Sequence, residues 1–332
     1  MVPDVLREAE RLQDDAKLVA PQAEPWKFQL SYTNVVIFGY LHISGIYGLL
    51  FCVSKAHWAT IFFSFILLVA SVIGVTAGAH RLWSHRSYKA NLPLQIILML
   101  FHSLSGQYTA FNWARDHRLH HKYSDTDADP HNATRGFFYS HIGWLLVVKH
   151  PEVRKRGETI DLSDLLRNPV LTFQRKNVVL ILSLVCYIMP TAVPMYFWGE
   201  TFHNAWHIMA LRFVLCLNFV SLINSAAHAF GNKPYDKNIM PTQNMSVTLA
   251  TLGEGFHNYH HVFPFDYRAA ELGNNTFNLT TKFIDFFAMI GWATDLKTVG
   301  RESILRRAQR TGDGSLSWKS DCEVVSGVLK SG

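Results

Sequence analysis

Two pairs of long apolar runs limit what this chain can fold into. The first pair covers about 34–54 and 58–79, the second about 177–198 and 204–224. Each run has the ~20 residues that a helix needs to cross the hydrocarbon core of a bilayer. Only a short loop around Lys55-Ala56-His57 separates the first two runs, and one near Trp198-Gly199-Glu200 separates the second two. Each pair therefore predicts a helical hairpin, and the four runs together predict an all-α membrane protein. Composition agrees, since 49% of the 332 residues are hydrophobic and only 17% are charged, less charge than soluble domains carry. Most of the chain nevertheless lies outside the four runs, leaving enough polar mass for a sizeable head.

Histidine clusters are the second constraint. His80 and His85 lie in HRLWSH, His117, His120 and His121 in HRLHH, and His257, His260 and His261 in HNYHH. Neutral imidazole is a preferred ligand of iron, zinc and copper. Eight such groups are too many for one ion and suit a pair held at a membrane surface. In HRLHH the three histidines share one helical face at i, i+3 and i+4, and HNYHH repeats that geometry. His80 and His85, at i and i+5, would stand about 140° apart on an ideal α-helix. They either straddle a helix end or reach a metal from different angles. The isolated His42, His57, His150, His203 and His207 read as ordinary hydrogen-bonded residues. A zinc-handling segment is the competing metal reading, but it would take the form of a low-complexity tract rather than three spaced boxes.

A further apolar run at about 93–112 is long enough to cross but carries His102, Ser103, Ser105, Gly106 and Gln107 in its second half. If it crossed, the first two histidine clusters would face opposite sides of the membrane and could not share a centre. It reads as a buried or interfacial helix of the head, which leaves four spans and puts all clusters on one side. Lys and Arg crowd 78–176 and 224–332, whereas the two short loops offer little more than Lys55. By the positive-inside rule the head and both termini are cytosolic. Arg212 falls within the fourth run and either faces the bundle interior or marks a wrong boundary there.

The net charge of +6 comes with no basic run suited to nucleic acid, and none is expected as a partner. Cys52, Cys186, Cys216 and Cys322 form no CxxC pair, so neither a disulfide framework nor a thiolate metal site is expected. The first residues lack a basic n-region, so the first span is expected to act as the targeting signal. The sequons at Asn132, Asn244, Asn274 and Asn278 fall on the cytosolic side and are expected to carry no glycan. Residues 125–136 resemble a calcium loop, but Pro130 stands where Gly is needed and Gly136 replaces the bidentate Glu, so calcium binding is rejected. The expected division is a polar segment at 1–31, a main domain at 32–311 and a disordered tail at 312–332.

HRLWSH, HRLHHKYSDTDADPHN and GEGFHNYHHVFP closely resemble the three histidine boxes of membrane-bound acyl-CoA desaturases of the stearoyl-CoA type. RGFFYSHIGWLL at 135–146, NSAAH at 224–228 and NKPYDKNI at 232–239 are similar to the same family, and the likeness runs over about 26–311. It implies two iron ions (Fe2+) held by nine histidines, the eight above plus His228, with Asn224 holding a metal-bound water. Asn224 and His228 are i and i+4, so one helical face can present both, although spacing alone leaves His228 open. Asp116, Asp125, Asp127, Asp129 and Glu254 are candidates, by proximity, to orient the rings.

The resemblance further implies a long-chain acyl-CoA substrate. Asn34, Arg115, Asp116 and Lys149 would contact CoA, and Gln107 and Trp113 would line the bend of an acyl tunnel. The family commonly carries a second basic residue before Lys149, where this chain has Val148. It often carries Thr and an aromatic before NSAAH, where this chain has Val220 and Ser221. Leu68 and Val72 are candidates for the tunnel end. Met240-Pro241-Thr242-Gln243 sits where insect members carry a class-marking tetrapeptide, and its final Gln resembles the moth pheromone-gland group, favouring Δ11 over Δ9.

Dioxygen is the implied oxidant, because removing hydrogens from an unactivated methylene is beyond acid–base chemistry. Electrons would come from NADH through cytochrome b5 reductase and a separate cytochrome b5 docking on the basic face. The expected protein is thus a multi-pass endoplasmic-reticulum acyl-CoA desaturase acting in unsaturated fatty acid or pheromone-precursor synthesis. The rivals are a related di-iron hydroxylase or conjugase and, outside enzymes, a metal transporter.

Overall fold

The computed structural model describes residues 26–270 and 277–316. Of the expected polar ends, 1–25 and 317–332 lie outside the described residues. Helices α1 (Tyr32–Cys52) and α2 (Trp58–Ser84) form one hairpin, and α3 (Leu92–Leu104) and α4 (Ala110–Tyr123) follow it. A second hairpin is made by α5 (Val178–Trp198) and α6 (Phe202–Ala229). The head is completed by α7 (His257–Val262), α8 (Leu279–Met289) and α9 (Arg301–Thr311), together with further short helices such as Pro151–Gly157 and Pro169–Lys176. Among the described residues, α1, α2, α5 and α6 are the helices long and apolar enough to cross a membrane. The extended structure includes a two-residue antiparallel pairing of Lys89–Ala90 with Ala293–Thr294.

Close helix contacts rest on small residues. A Cβ on Gly48 of α1 would lie 2.4 Å from His207 O of α6, and Ser44 Oγ hydrogen-bonds His207 Nδ1 at 2.8 Å one turn away. The hairpin loops are tied to each other by Glu200. Its carboxylate accepts from His57 N at 2.8 Å and Thr60 Oγ1 at 2.7 Å, capping the start of α2, and from Thr201 N and Asn204 Nδ2 at the start of α6. Burial works to raise the Glu200 carboxyl, but these donors outweigh it and hold it below the usual carboxylate range.

Arg212 faces the bundle interior, one of the two alternatives its position left open. Its Nη1 donates to Ser71 Oγ at 2.9 Å and to Leu104 O at 2.8 Å, at the end of α3. Pro190 has no N–H for the carbonyl four residues back, and Arg212 Nη2 donates to that oxygen, Cys186 O, at 3.1 Å. The cation thus serves backbone carbonyls that a helix end and a proline leave open.

Helix α3 has 13 residues, a length of about 20 Å, too short for a hydrocarbon core of about 30 Å. Asn91 caps it by accepting from Leu94 N at 3.1 Å. Gly106 ends the run with φ +67°, and a Cβ there would sit 2.3 Å from the Phe213 ring, so only glycine fits this bend. The chain then turns into α4, which starts at the Thr109 cap. Two membrane helices run beyond their apolar stretches into the head: α2 as far as Ser84 and α6 as far as Ala229. Those extensions carry His80 and His228.

Candidate metal centre

A π-helical segment at the end of α2, Gly74–Ser84, decides how the first histidine cluster is used. Hydrogen bonds in such a segment run five residues back, and His85 N donates to His80 O at 3.1 Å. Residues five apart therefore stand one turn above the other, and the two rings come within 4.9 Å. The 140° separation of an ideal α-helix does not arise.

His80, His85, His117, His121 and His260 converge with one ring nitrogen each, all within 4.8 Å of one another. His80 Nε2 and His260 Nε2 are 2.9 Å apart, His85 Nε2 and His117 Nε2 2.9 Å, and His121 Nε2 and His260 Nε2 3.0 Å. His120, His228, His257 and His261 converge in the same way. There the Nε2 separations are 3.1 Å for His228–His257, 3.1 Å for His257–His261 and 3.3 Å for His120–His261. The His121 and His261 rings stack at 4.2 Å, so the two foci adjoin.

Each of the two triplets is divided between the foci. On α4, His117 and His121 go to one focus and His120 to the other; on α7, His257 and His261 pair and His260 is separate. Helix geometry explains the division. Residues i and i+4 differ by about 40° around the axis, whereas i+3 and i+4 differ by about 100°. A triplet on one face therefore serves two adjoining sites, one on each side of it.

Three of the five proposed carboxylates orient rings. Glu254 pairs with His80 Nδ1 at 3.0 Å, Asp129 with His120 Nδ1 at 2.8 Å and Asp125 with His228 Nδ1 at 3.1 Å. Asp127 pairs instead with Arg135, and Asp116 with Arg115 and Lys149. Glu254 is itself held by the buried Arg81, whose Nε and Nη2 donate to Oε1 at 3.1 and 2.8 Å. Burial works to raise the Glu254 carboxyl, but Arg81 and His80 outweigh it and bring it down to about 2. Asp129 also lies well below its usual range, its burial outweighed by His120 and His131.

Charge and geometry together fit metal ions. In His80, His120 and His228 the Nδ1 proton is committed to a carboxylate, so Nε2 presents a lone pair. Those lone pairs point at other Nε2 atoms about 3 Å away; a hydrogen on the partner ring can bridge one such pair, but with five and four nitrogens converging not every pair can be bridged, whereas a cation serves them together. Metal–nitrogen bonds of about 2.0–2.1 Å would put neighbouring ligand atoms about 3.0–3.4 Å apart, matching the observed spacing. Burial, reinforced by neighbouring imidazoles, holds His85, His117, His121, His257, His260 and His261 well below the ordinary imidazole range. Neutral rings are the form that binds metal.

A cavity of about 420 Å³ opens beside the five-histidine focus. His80, His117, Glu254 and Asn224 line it, and so do all six positions that the resemblance links to substrate: Asn34, Gln107, Trp113, Arg115, Asp116 and Lys149. The side chains of Arg115 and Lys149 are about a third exposed and share Asp116, so the charged rim faces outward. Trp113 stacks on His117 at 4.9 Å and donates from Nε1 to Gln107 Oε1 at 3.0 Å. Asn34 Nδ2 donates to Leu145 O at 2.7 Å. Val220 and Ser221 are also in the wall, whereas Leu68 and Val72 are not.

Sequence reasoning missed His131, Trp144 and Arg81. His131 and Trp144 line the cavity with their rings 5.4 Å apart, and their signal lay in the DADPHN and HIGWLL stretches. The tetrapeptide at 240–243 is a structural tie rather than a surface loop. Thr242 Oγ1 donates to Ala227 O and Phe230 O, both at 2.9 Å, and Asn258 Nδ2 donates to Pro241 O at 2.9 Å. The segment thereby joins the end of α6, with His228, to α7.

Comparison with known proteins agrees with this geometry. The profile described as fatty acid desaturase matches residues 56–272. The chain is 62% identical over 301 residues to the acyl-CoA Delta(11) desaturase of Spodoptera littoralis, covering 91% of this chain and 89% of that protein. It is 60% identical over 315 residues to the acyl-CoA Delta(11) desaturase of Choristoneura rosaceana, covering 95% and 93%. It is also 57% identical over 316 residues to the (11Z)-hexadec-11-enoyl-CoA conjugase of Bombyx mori, covering 94% and 96%.

Proposed function

Since this chain belongs to the fatty acid desaturase family, we propose that it is a membrane acyl-CoA desaturase that introduces a cis double bond into a saturated long-chain acyl-CoA, with Δ11 favoured over Δ9. The observation that carries this reading is one cavity running from a charged rim to a five-histidine focus, with a four-histidine focus adjoining. The names of the Delta(11) relatives support the substrate and the position of the bond.

In this reading the nine histidines would hold two iron ions, with Asn224 as a further polar group at the site. Bound iron would supply the strong oxidant, from dioxygen, that an unactivated C–H bond demands. The reaction balances when two hydrogens from adjacent methylenes, two electrons and two protons convert one O2 into two waters. Electrons come from NADH through cytochrome b5 reductase and cytochrome b5, which docks on the basic head.

The side chains do the positioning. Arg115 and Lys149, with Asn34 and Asp116, hold the CoA end at the rim. Gln107 and Trp113 shape the wall beside His117, and the largely apolar cavity excludes water from the acyl chain. Glu254, Asp125 and Asp129 fix ring orientation. Holding one pair of methylenes beside the centre sets both position and geometry of the bond. The protein resides in the endoplasmic-reticulum membrane with both termini cytosolic.

A second reading, conjugase activity, is favoured by the Bombyx mori relative. Expression in desaturase-deficient yeast, with fatty-acid profiling and bond mapping by mass spectrometry, separates the readings. Growth without added unsaturated fatty acid, and cis monoenes mainly at carbon 11, are expected. Conjugated dienes from a fed monoene would establish the second reading. Mainly hydroxylated chains, or metal transport without any lipid product, would sink both.

A further inference from the structure

His141 lies outside both histidine foci and bridges two turns of α6. Its Nε2 is 3.1 Å from Asn218 Oδ1, and its Nδ1 is 2.9 Å from Ser225 Oγ. The hydrogen-bond directions follow from the far end of the network. His42 Nδ1 donates to Phe38 O at 2.7 Å, which leaves Nε2 of the neutral ring an acceptor. Asn218 Nδ2 donates to His42 Nε2 at 3.2 Å and to Val214 O at 2.8 Å. With both amide protons spent, Asn218 Oδ1 accepts from His141 Nε2. The neutral His141 ring then accepts at Nδ1 from the Ser225 hydroxyl. That hydroxyl has a competing acceptor, Ser221 O at 3.0 Å, and serine bonding back to i−4 bends helices.

Ser225 is where α6 breaks, with φ −109° and ψ −71°. On one side is Asn224, which lines the cavity, and three residues on is His228, in the four-histidine focus. His228 N donates to Ser225 O at 3.2 Å, so the bearing of one residue relative to the other is set by the backbone at this position.

We propose that His141 is a positioning residue for the metal centre. By holding the Ser225 hydroxyl it sets the break in α6, and through the break the bearings of Asn224 and His228. His42 and Asn218 fix the orientation of the ring and so couple the first and fourth spans to the four-histidine focus. The proposal rests on the reading of the two foci as metal sites.

Metal content per chain, measured by mass spectrometry on protein purified in detergent after iron loading, tests it. Wild type is expected to carry two irons and His141→Ala about one, with the five-histidine focus still filled. Ser225→Ala should lose iron likewise, and the double variant should be no worse than either single one. His207→Ala removes a comparable half-buried imidazole, bonded to Ser44, and should keep two irons. His141→Ala with two irons and an unchanged Mössbauer spectrum overturns the proposal alone, as do additive losses in the double variant. If His141→Ala does not fold, Ser225→Ala decides by the same measure. Wild type that binds no iron overturns the metal reading and the proposal with it.

Discussion

Each imidazole that faces a cation must keep one nitrogen bare and the other occupied. The buried carboxylates impose that asymmetry on His80, His120 and His228. Glu254 does so under tension between burial and Arg81, because Arg81 is itself buried and relies on Glu254 with Tyr267 O and Thr281 Oγ1. Glu254→Gln keeps the shape but removes the charge that fixes the His80 tautomer. Such substitutions cost about 10–100-fold in metal affinity or activity. Metal titration and turnover should both show that loss, whereas Asp127→Asn, at an exposed pair with Arg135, should leave metal content unchanged. An unaltered affinity in Glu254→Gln would remove the carboxylate from the centre.

At the scale of elements, the decisive contact is between the π-segment of α2 and helix α3. A Cβ on Gly74 would lie 2.1 Å from His102 N and 2.2 Å from the Phe101 carbonyl carbon. Both are backbone atoms, so α3 must move as a body to admit a methyl group. Overpacking of this kind costs about 1–3 kcal/mol, and here it also displaces the turn that brings His80 over His85. Gly74→Ala should therefore unfold in detergent at a lower temperature and lose metal, while Gly39→Ala, with nothing within 4 Å, should do neither. The tie made by Thr242 belongs to the same scale. It fixes α6 against α7 and gives the tetrapeptide a physical role in holding His228 near His257.

For the whole molecule, two hairpins return the chain to the side it started from, so α2, α4, α6 and α7 can meet in one head. Lys55 stands on the opposite side from Lys89 in that arrangement. In sealed vesicles with the head outward, and with Cys52, Cys186, Cys216 and Cys322 replaced by Ser, a cysteine at Lys89 (Lys89→Cys) should react with an impermeant maleimide added outside. Lys55→Cys should react only after the membrane is opened. Equal labelling of both would break the four-span topology.

Properties set over short distances along the chain were legible in the sequence. Run length gave the four spans, since hydrocarbon thickness and helix rise are fixed. Polar residues in the second half of the third apolar run, and the need to keep the first two histidine clusters on one side, gave α3 as a helix of the head. Box spacing gave the convergence of histidines, because i and i+4 share a face whatever the helix packs against. The distribution of nine rings into five and four was decided only by the tertiary structure, because it depends on the angles at which α2, α4, α6 and α7 meet. The π-turn under His85 was likewise settled only by the tertiary structure: local pattern left His80 and His85 either straddling a helix end or reaching a metal from different angles, and His85 stands just past the end of α2, bonded to His80 O. Arg81 and His141 escaped a role because each acts on a partner distant in sequence, Glu254 and Ser225, and such a polar group shows its purpose only once its partner is in place.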